Sequence, residues 1–245
     1  MPPTQHITIT ISWYVPVILG LSLVAAALIG GYTFYAVRAM DNVLTVTGSA
    51  KTRVTANSVK WSLTVTRTVQ QNGTAQGYAQ IARDADAVVA FLTAQGVQGA
   101  EITTMPASLE EIYKNDASLP REYHVRQTVI VQSANVDAID ALSKRLVELS
   151  NKGILVTGNW LEFYVTNLPE LRVSLLTDAV TDARSRAENI ARAGGQSVGA
   201  LKSASSGVVQ VLAPNSIDVS DYGQYDTQSK EKEVMVTARA TFFVR

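Results

Sequence analysis

The sequence predicts an α+β fold: mainly antiparallel strands with three helices packed on them, preceded by one transmembrane helix. Three observations carry this. Several segments alternate apolar and polar residues with period two, the mark of half-buried strands. Between them lie runs with apolar residues three and four apart, each closed by glycine, the mark of amphipathic helices. Finally, no Asp, Glu, Lys or Arg occurs before Arg38, whereas the rest of the 245-residue chain is evenly charged.

The charge-free piece comes first. "ISWYVPVILGLSLVAAALIGGYTFYAV" occupies residues 11–37. As a helix, residues 13–35 span roughly 33 Å at about 1.5 Å per residue, close to the roughly 30 Å hydrocarbon core of a bilayer. Trp13 and Tyr14 mark one end, Tyr32 and Tyr35 the other, as amphipathic rings do at membrane interfaces. A cleaved signal has a basic start and a shorter apolar stretch, so the segment reads as an uncleaved anchor for the lipid bilayer. Gly20, Gly30 and Gly31 would allow close helix contacts. Arg38, Lys51 and Arg53 follow the helix and nothing basic precedes it. The positive-inside rule taken alone therefore points the large domain toward the cytoplasm.

The strands follow. "SVKWSLTVTRTV" places Val59, Trp61, Leu63, Val65 and Val69 on one face. "YHVRQTVIV" does the same with Tyr123, Val125, Val129 and Val131, and "VMVTARATFFV" with its even positions, Val234 to Val244. "LEFYV" at residues 161–165 is a shorter case.

Three helices interrupt them. Residues 74–95 carry Tyr78, Ile81, Ala85, Val88, Val89 and Leu92 at helical spacing, with Gly96 as the stop. Residues 136–150 carry Val136, Ile139, Leu142, Leu146 and Leu149, with Asn135 as N-cap and Gly153 beyond the end. The third begins at Asn167, with Glu170 three residues on to complete a capping box and Pro169 in the first turn. Its inner face is Leu176, Ala179, Val180, Ala183, Ala187, Ile190 and Gly194, mostly small, so it predicts close packing. Its charges pair along the outer face, Asp182 with Arg186 and Glu188 with Arg192.

The order is strand, strand, helix, strand, strand, helix, strand, helix, strand, strand. Strands that come in adjacent pairs favour α+β over a doubly wound sheet. The chain divides into residues 1–40, holding the anchor, and residues 41–245, one domain with room for two subdomains.

Composition excludes several functions. There is no cysteine, hence no disulfide or thiolate chemistry, and the two histidines, His6 and His124, make no multi-histidine metal site. Twenty-one basic residues balance twenty-one acidic ones without a basic stripe, which argues against nucleic acid. No phosphate-binding glycine loop and no Gly-x-Ser-x-Gly elbow is present. "NGT" at Asn72 is a glycosylation sequon only in a eukaryotic secretory setting.

His124 is a lone strand histidine, best read as structural. Glu110, Glu111 and Asp116 border a polar loop and read as a solvated turn. In the loop of residues 213–233, Asp218, Ser220, Asp221 and Gly223 resemble a calcium loop, but the spacing fails: Tyr222 stands at position five and Ser229 at position twelve, where that motif requires a carboxylate. Contact with a neighbouring subunit is the favoured use of this loop. Trp160, Tyr164, Tyr113, Tyr222 and Tyr225 would line a groove if they converge. No catalytic, cofactor-binding or metal residue is assigned.

With the elements placed, the chain resembles the SIMPL-domain family of bacterial envelope proteins. The likeness rests on "LTVTGSAKTRVTANSVKWSLTVTRT", "GVQGAEITTMPASLEEIY", "REYHVRQTVIVQSANVDAIDAL", "AVTDARSRAENIARAGGQSVGAL" and "EVMVTARATFFV", in that order. Thr55-Ala56-Asn57 stands where the family often has a Pro-Asp pair. The resemblance implies an α+β fold, an extracytoplasmic, periplasmic setting and homo-oligomers that can be large and ring- or channel-like. It implies no catalytic motif. Roles suggested for the family are loose: envelope stress tolerance, immunogenic surface protein, and signalling adaptor for the remote eukaryotic members. On sidedness, this setting outweighs the three basic residues after the helix.

The expectation is therefore a membrane-anchored, non-enzymatic structural or interaction protein that self-assembles through residues 41–245 into a large homo-oligomer, with no cofactor and no nucleic-acid partner. An extracytoplasmic binding module for a small ligand or envelope polymer is the alternative. A hydrolase, which needs a nucleophile and base within hydrogen-bond reach, comes last.

Overall fold

Each alternating segment must bury one face, and the chain does this in two sheets. The computed structural model describes residues 13–39, 42–116, 119–216, 220 and 222–245. Its elements are helix α1 (Tyr14–Ala39), strands β1 (Val43–Thr55) and β2 (Ser58–Gln70), helix α2 (Thr74–Ala94), and strands β3 (Ile102–Thr104), β4 (Ser108–Ile112) and β5 (Glu122–Ser133). Helices α3 (Val136–Ser143) and α4 (Val147–Ser150), strand β6 (Val156–Tyr164), helix α5 (Leu168–Ala193) and strands β7 (Val198–Leu212) and β8 (Glu231–Val244) follow. Five helices and eight strands are thus described, where the sequence predicts four helices with the anchor and seven strands.

The second predicted helix divides. The Ser143 hydroxyl donates to the Asp140 carbonyl at 2.8 Å, and backbone bonds tighten to i→i−3 at Arg145, Glu148 and Leu149. A hydroxyl competing for a helix carbonyl favours such a break. The extra strand arises because the stretch after Gly96 makes two short pairings with β5, β3 opposite residues 129–131 and β4 opposite residues 122–126.

The larger sheet runs β3-β5-β2-β6, with β4 also on β5. Its strands pair antiparallel. On β2 the residues Val59, Trp61, Leu63 and Val65 are fully buried, as are Val125, Val129 and Val131 on β5. They face Ile81, Ala85, Val88 and Leu92 of α2, with Ile139, Leu142 and Leu149 completing the core. Gly77 lets α2 approach: a Cβ there would stand 2.8 Å from Val69 Cγ1 and 3.1 Å from Val125 Cγ2.

The smaller sheet runs β1-β8-β7. β1 and β2, adjacent in sequence, therefore belong to different sheets. Between them, Asn57 fastens the chain where the family's Pro-Asp pair is missing: its amide donates to Thr166 Oγ1 and its carbonyl oxygen accepts from Thr166 N, both at 2.9 Å. The buried face of α5 is Leu175, Ala179, Ala183, Ala187 and Ala191, a ridge with strict four-residue spacing. Four predicted members fall off it: Leu176 and Val180 are half-buried, and Ile190 and Gly194 are exposed.

Two compact units result. One comprises Met1–Gly48, Val180–Ser205 and Ala238–Arg245; its core is Val46, Ala183, Ala187, Ala240 and Phe242. The other comprises Ser49–Ala179 and Ser206–Thr237, and holds both the core of the larger sheet and a cluster of Leu175, Val211, Val234 and Val236. Within α1, Tyr14–Val37 is long and apolar enough to cross a membrane or to act as a signal sequence.

Candidate functional site

Three places bring polar groups together. The first is at the margin of the larger sheet's core, where Asp84 is buried and Arg67 half-buried. Arg67 interrupts the apolar face of β2 and Asp84 the apolar face of α2; they meet in a two-point ion pair, Nε to Oδ2 at 2.6 Å and Nη2 to Oδ1 at 2.9 Å. The same Nη2 donates to the Gly153 carbonyl at 3.0 Å. The Asp84 hydrogen bond raises the Arg67 pKa, so the guanidinium is charged at any accessible pH. This clamp ties strand, helix and loop, and it leaves no group free for chemistry.

The second is around Lys232. This lysine sits on the inward face of β8 and is fully buried. Its ammonium donates to the Asp226 carbonyl, lies 3.8 Å from the Asp226 carboxylate and 5.7 Å from the Tyr225 ring centroid. Burial pushes the Lys232 pKa down, opposed by the Asp226 charge. For Asp226, burial alone would raise the pKa; hydrogen bonds from Ser229 and Gln228 and the charge of Lys232 outweigh it and hold the carboxyl low. Tyr225 stacks obliquely on Tyr164 at 5.9 Å, and its hydroxyl accepts from Val165 N at 2.9 Å. Tyr164 in turn donates to Glu162, which pairs with Lys60 at 2.9 Å. The Lys60 bond lowers the Glu162 pKa, and the Glu162 bond raises that of Lys60.

This cluster draws in the second half of the loop of residues 213–233. Its described part closes onto its own chain: Tyr225 bridges Val211, Thr227 O accepts from Phe163 N at 2.7 Å, and Lys230 O accepts from Ala56 N at 2.9 Å. Asp218 and Asp221 lie outside the described residues. Among the described residues no group of three acidic or histidine side chains could hold a metal ion.

The third is a cleft of about 260 Å³ lined by Gln95, Gln98, Glu101, Ser133, Asn135 and Arg145, among others. Its polar groups already pair, Arg145 with Gln95 at 2.8 Å and Glu101 with the Gln98 N–H at 3.0 Å. None of the five aromatics expected in a groove lines it. Of these five, Tyr164 and Tyr225 contact each other, and Trp160, Tyr113 and Tyr222 are largely exposed.

The remaining candidates are spent on pairs. His124 lies in register with Thr68 and Glu110, and its Nδ1 is 3.2 Å from Thr68 Oγ1. Glu110, however, pairs with Arg126 and Glu111 with Arg121, so no carboxylate orients the imidazole as a catalytic base requires. Asp116 also has a partner.

What is left open is backbone. In the smaller sheet β1 and β7 are both edge strands, 13 and 15 residues long. Among the described residues the loop meets β7 near its end, where Val211 N donates to Gln224 O and Asp226 N to Val211 O. Residues 201–206, "LKSASS", are all exposed.

A family model for SIMPL, a protein of unknown function (DUF541), matches residues 44–242, from the second residue of β1 almost to the end of β8. The chain belongs to the SIMPL family. The SIMPL domain thus includes every strand and excludes the apolar helix α1. No curated protein was found to match the chain.

Proposed function

We propose that this SIMPL protein is a membrane-anchored, non-enzymatic structural or interaction protein of the cell envelope. Residues 11–37 hold it in the membrane, the domain of residues 41–245 lies on the extracytoplasmic side, and that domain self-associates into a large ring- or channel-like homo-oligomer. The observation that carries the reading is the pair of long open edges on the smaller sheet. Natural sheets blunt their edges with short strands, prolines, bulges or charge. Residues 201–206 hold no proline and one charge, Lys202. Joining the β7 edge of one copy to the β1 edge of the next is a heterologous contact, which gives a ring when the rotation closes.

The test is mass in mild detergent by light scattering, with the detergent contribution subtracted, for the full chain and for a Ser203→Lys, Ser205→Lys variant. The expected result is several times the 26.4 kDa chain mass for the parent, and a severalfold lower mass for the variant at an unchanged unfolding midpoint. A monomeric parent, or a variant that assembles fully, sinks the proposal.

A further inference from the structure

Trp160 is 67% exposed. A lone exposed ring needs no explanation, but this one lies in a built setting on the outer face of the larger sheet. Register defines that face. Trp61, Leu63, Val129 and Val131 are fully buried, so their neighbours along each strand point the other way. One row on the outer face reads Trp160, Ser62, Ile130 across β6, β2 and β5, and the next reads Gly158, Thr64, Thr128. The strands stand about 4.8 Å apart and the rows about 7 Å apart, two residues at roughly 3.4 Å each.

Gly158 makes room for the indole. A Cβ there would stand 3.5 Å from Trp160 Nε1 and 3.1 Å from both Cβ and Oγ1 of Thr64, so the ring leans back along its strand toward the threonines. Thr64 and Thr128 meet hydroxyl to hydroxyl at 2.9 Å. That contact uses one of their two hydrogens, and the pair keeps donor and acceptor capacity for a further partner. An ion pair flanks the two rows on either side. Lys60 meets Glu162 at 2.9 Å in the row beyond Trp160, and Arg126 meets Glu110 beyond Thr128. Each pair is neutral in itself.

An aromatic face, a hydroxyl edge and self-cancelled charge select a ligand of matching chemistry. A charged ligand would have to compete with ion pairs already made, and a wholly apolar one would strand the hydroxyls. A sugar ring satisfies both conditions. The axial C–H bonds of a gluco-configured pyranose form an apolar, slightly positive face that complements the negative π face of an indole. Its equatorial hydroxyls can both donate to and accept from the threonine pair. An equatorially linked chain keeps successive rings extended, so that it can lie across the strands.

We infer that the outer face of β6, β2 and β5 binds an uncharged, equatorially linked glycan chain, with Trp160 as the stacking ring and Thr64 with Thr128 as the hydrogen-bonding edge. This adds a ligand to the self-association proposed above and rests neither on it nor on the anchor.

The probe is N-acetylchitohexaose, titrated calorimetrically into the full chain in a detergent that has no sugar headgroup. Maltohexaose, whose axial linkages bend the chain, is the comparison. The expected Kd for N-acetylchitohexaose is on the order of 1 mM or tighter, with maltohexaose severalfold weaker. Trp160→Ala should bind at least about tenfold more weakly at an unchanged unfolding midpoint. Trp160→Phe keeps a π face and should stay within about fivefold of the parent. Location is read in a Trp13→Phe background. There Trp61 is fully buried and Trp160 is the exposed indole, so iodide quenching of tryptophan fluorescence should fall when the hexasaccharide binds. Tyr113→Ala, which removes a ring that is 87% exposed outside these rows, should bind as the parent does. No heat and no protection at about 10 mM hexasaccharide overturns the inference. So does equal affinity for maltohexaose, a Trp160→Ala variant that binds like the parent, or a loss in Tyr113→Ala as large as in Trp160→Ala.

Discussion

The two sheets of this protein solve the same burial problem differently. The larger one is filled with bulk: Trp61, Leu63, Ile81, Leu92 and Phe91 occupy the space between strands and helices. The smaller one is closed by approach, with Ala183 and Ala187 of α5 against Val46, Ala240 and Phe242. They also differ at their margins. The larger sheet ends in the three-residue β3 and five-residue β4 on one side, and on the other β6 is stitched by Thr227 and Tyr225. The smaller sheet ends in two long strands. One sheet covers its margins, whereas the other ends in two long edge strands among the described residues, and this difference is the reason for proposing β1 and β7 as the assembly surface.

The comparison is tested most severely by Trp61→Ala. Trp61 is fully buried and donates to Asn159 Oδ1 at 2.7 Å, so the change opens a large cavity and strands a polar group. Loss of about 3–5 kcal/mol is expected in denaturant unfolding. A loss under about 1 kcal/mol would show that bulk is not what holds this sheet. The smaller sheet should fail in the opposite way, by excess. Ala187→Leu inserts three carbons where the helix lies closest, and should cost about 1–3 kcal/mol. If Ala187→Leu is neutral, the alanine ridge is not a close contact.

Much of this was legible because alternation is local. The faces of β2, β5 and β8 could be listed residue by residue, and burial follows those lists. The ridge of α5 was less so. Alanine, Val180 and Ile190 are all apolar, so a 100° wheel admits both the four-residue ridge and its neighbours, and only the packing surface selects Leu175 and Ala191 over Ile190. That β1 and β2 enter different sheets depends on long-range pairing, which periodicity does not encode. The buried charges were missed although they left a signal. Arg67, Asp84 and Lys232 each stand on a predicted apolar face, and a charge in that position must be paired or neutralised. Reading such interruptions as partners, not as noise, would have found the Arg67–Asp84 clamp and the Lys232–Asp226 pair.

The smallest expected effect separates the two cations, half-buried Arg67 and fully buried Lys232. Arg67 is held by two carboxylate bonds, but Lys232 has a carbonyl, a ring and a carboxylate at 3.8 Å. Its pKa is depressed by burial, so between the depressed value and its ordinary 10.5 the unfolded chain binds more protons. Stability attributable to Lys232 therefore rises with pH across that window. Lys60, whose pKa is raised by Glu162, and Tyr164, whose pKa is raised by burial, lose stability only toward or above their ordinary 10.5 and 10.0. Asp226 and Glu162, both held low, lose theirs only as pH falls below their ordinary 3.8 and 4.5. The range from about pH 7 to about 10 thus isolates Lys232. Lys232→Met should leave stability at pH 7 within about 1 kcal/mol of the parent, because it removes a poorly compensated buried charge. It should also flatten the rise that the parent shows toward pH 10 in urea unfolding. A rise that persists in Lys232→Met would assign the titration to another group and make Lys232 a cation as well held as Arg67.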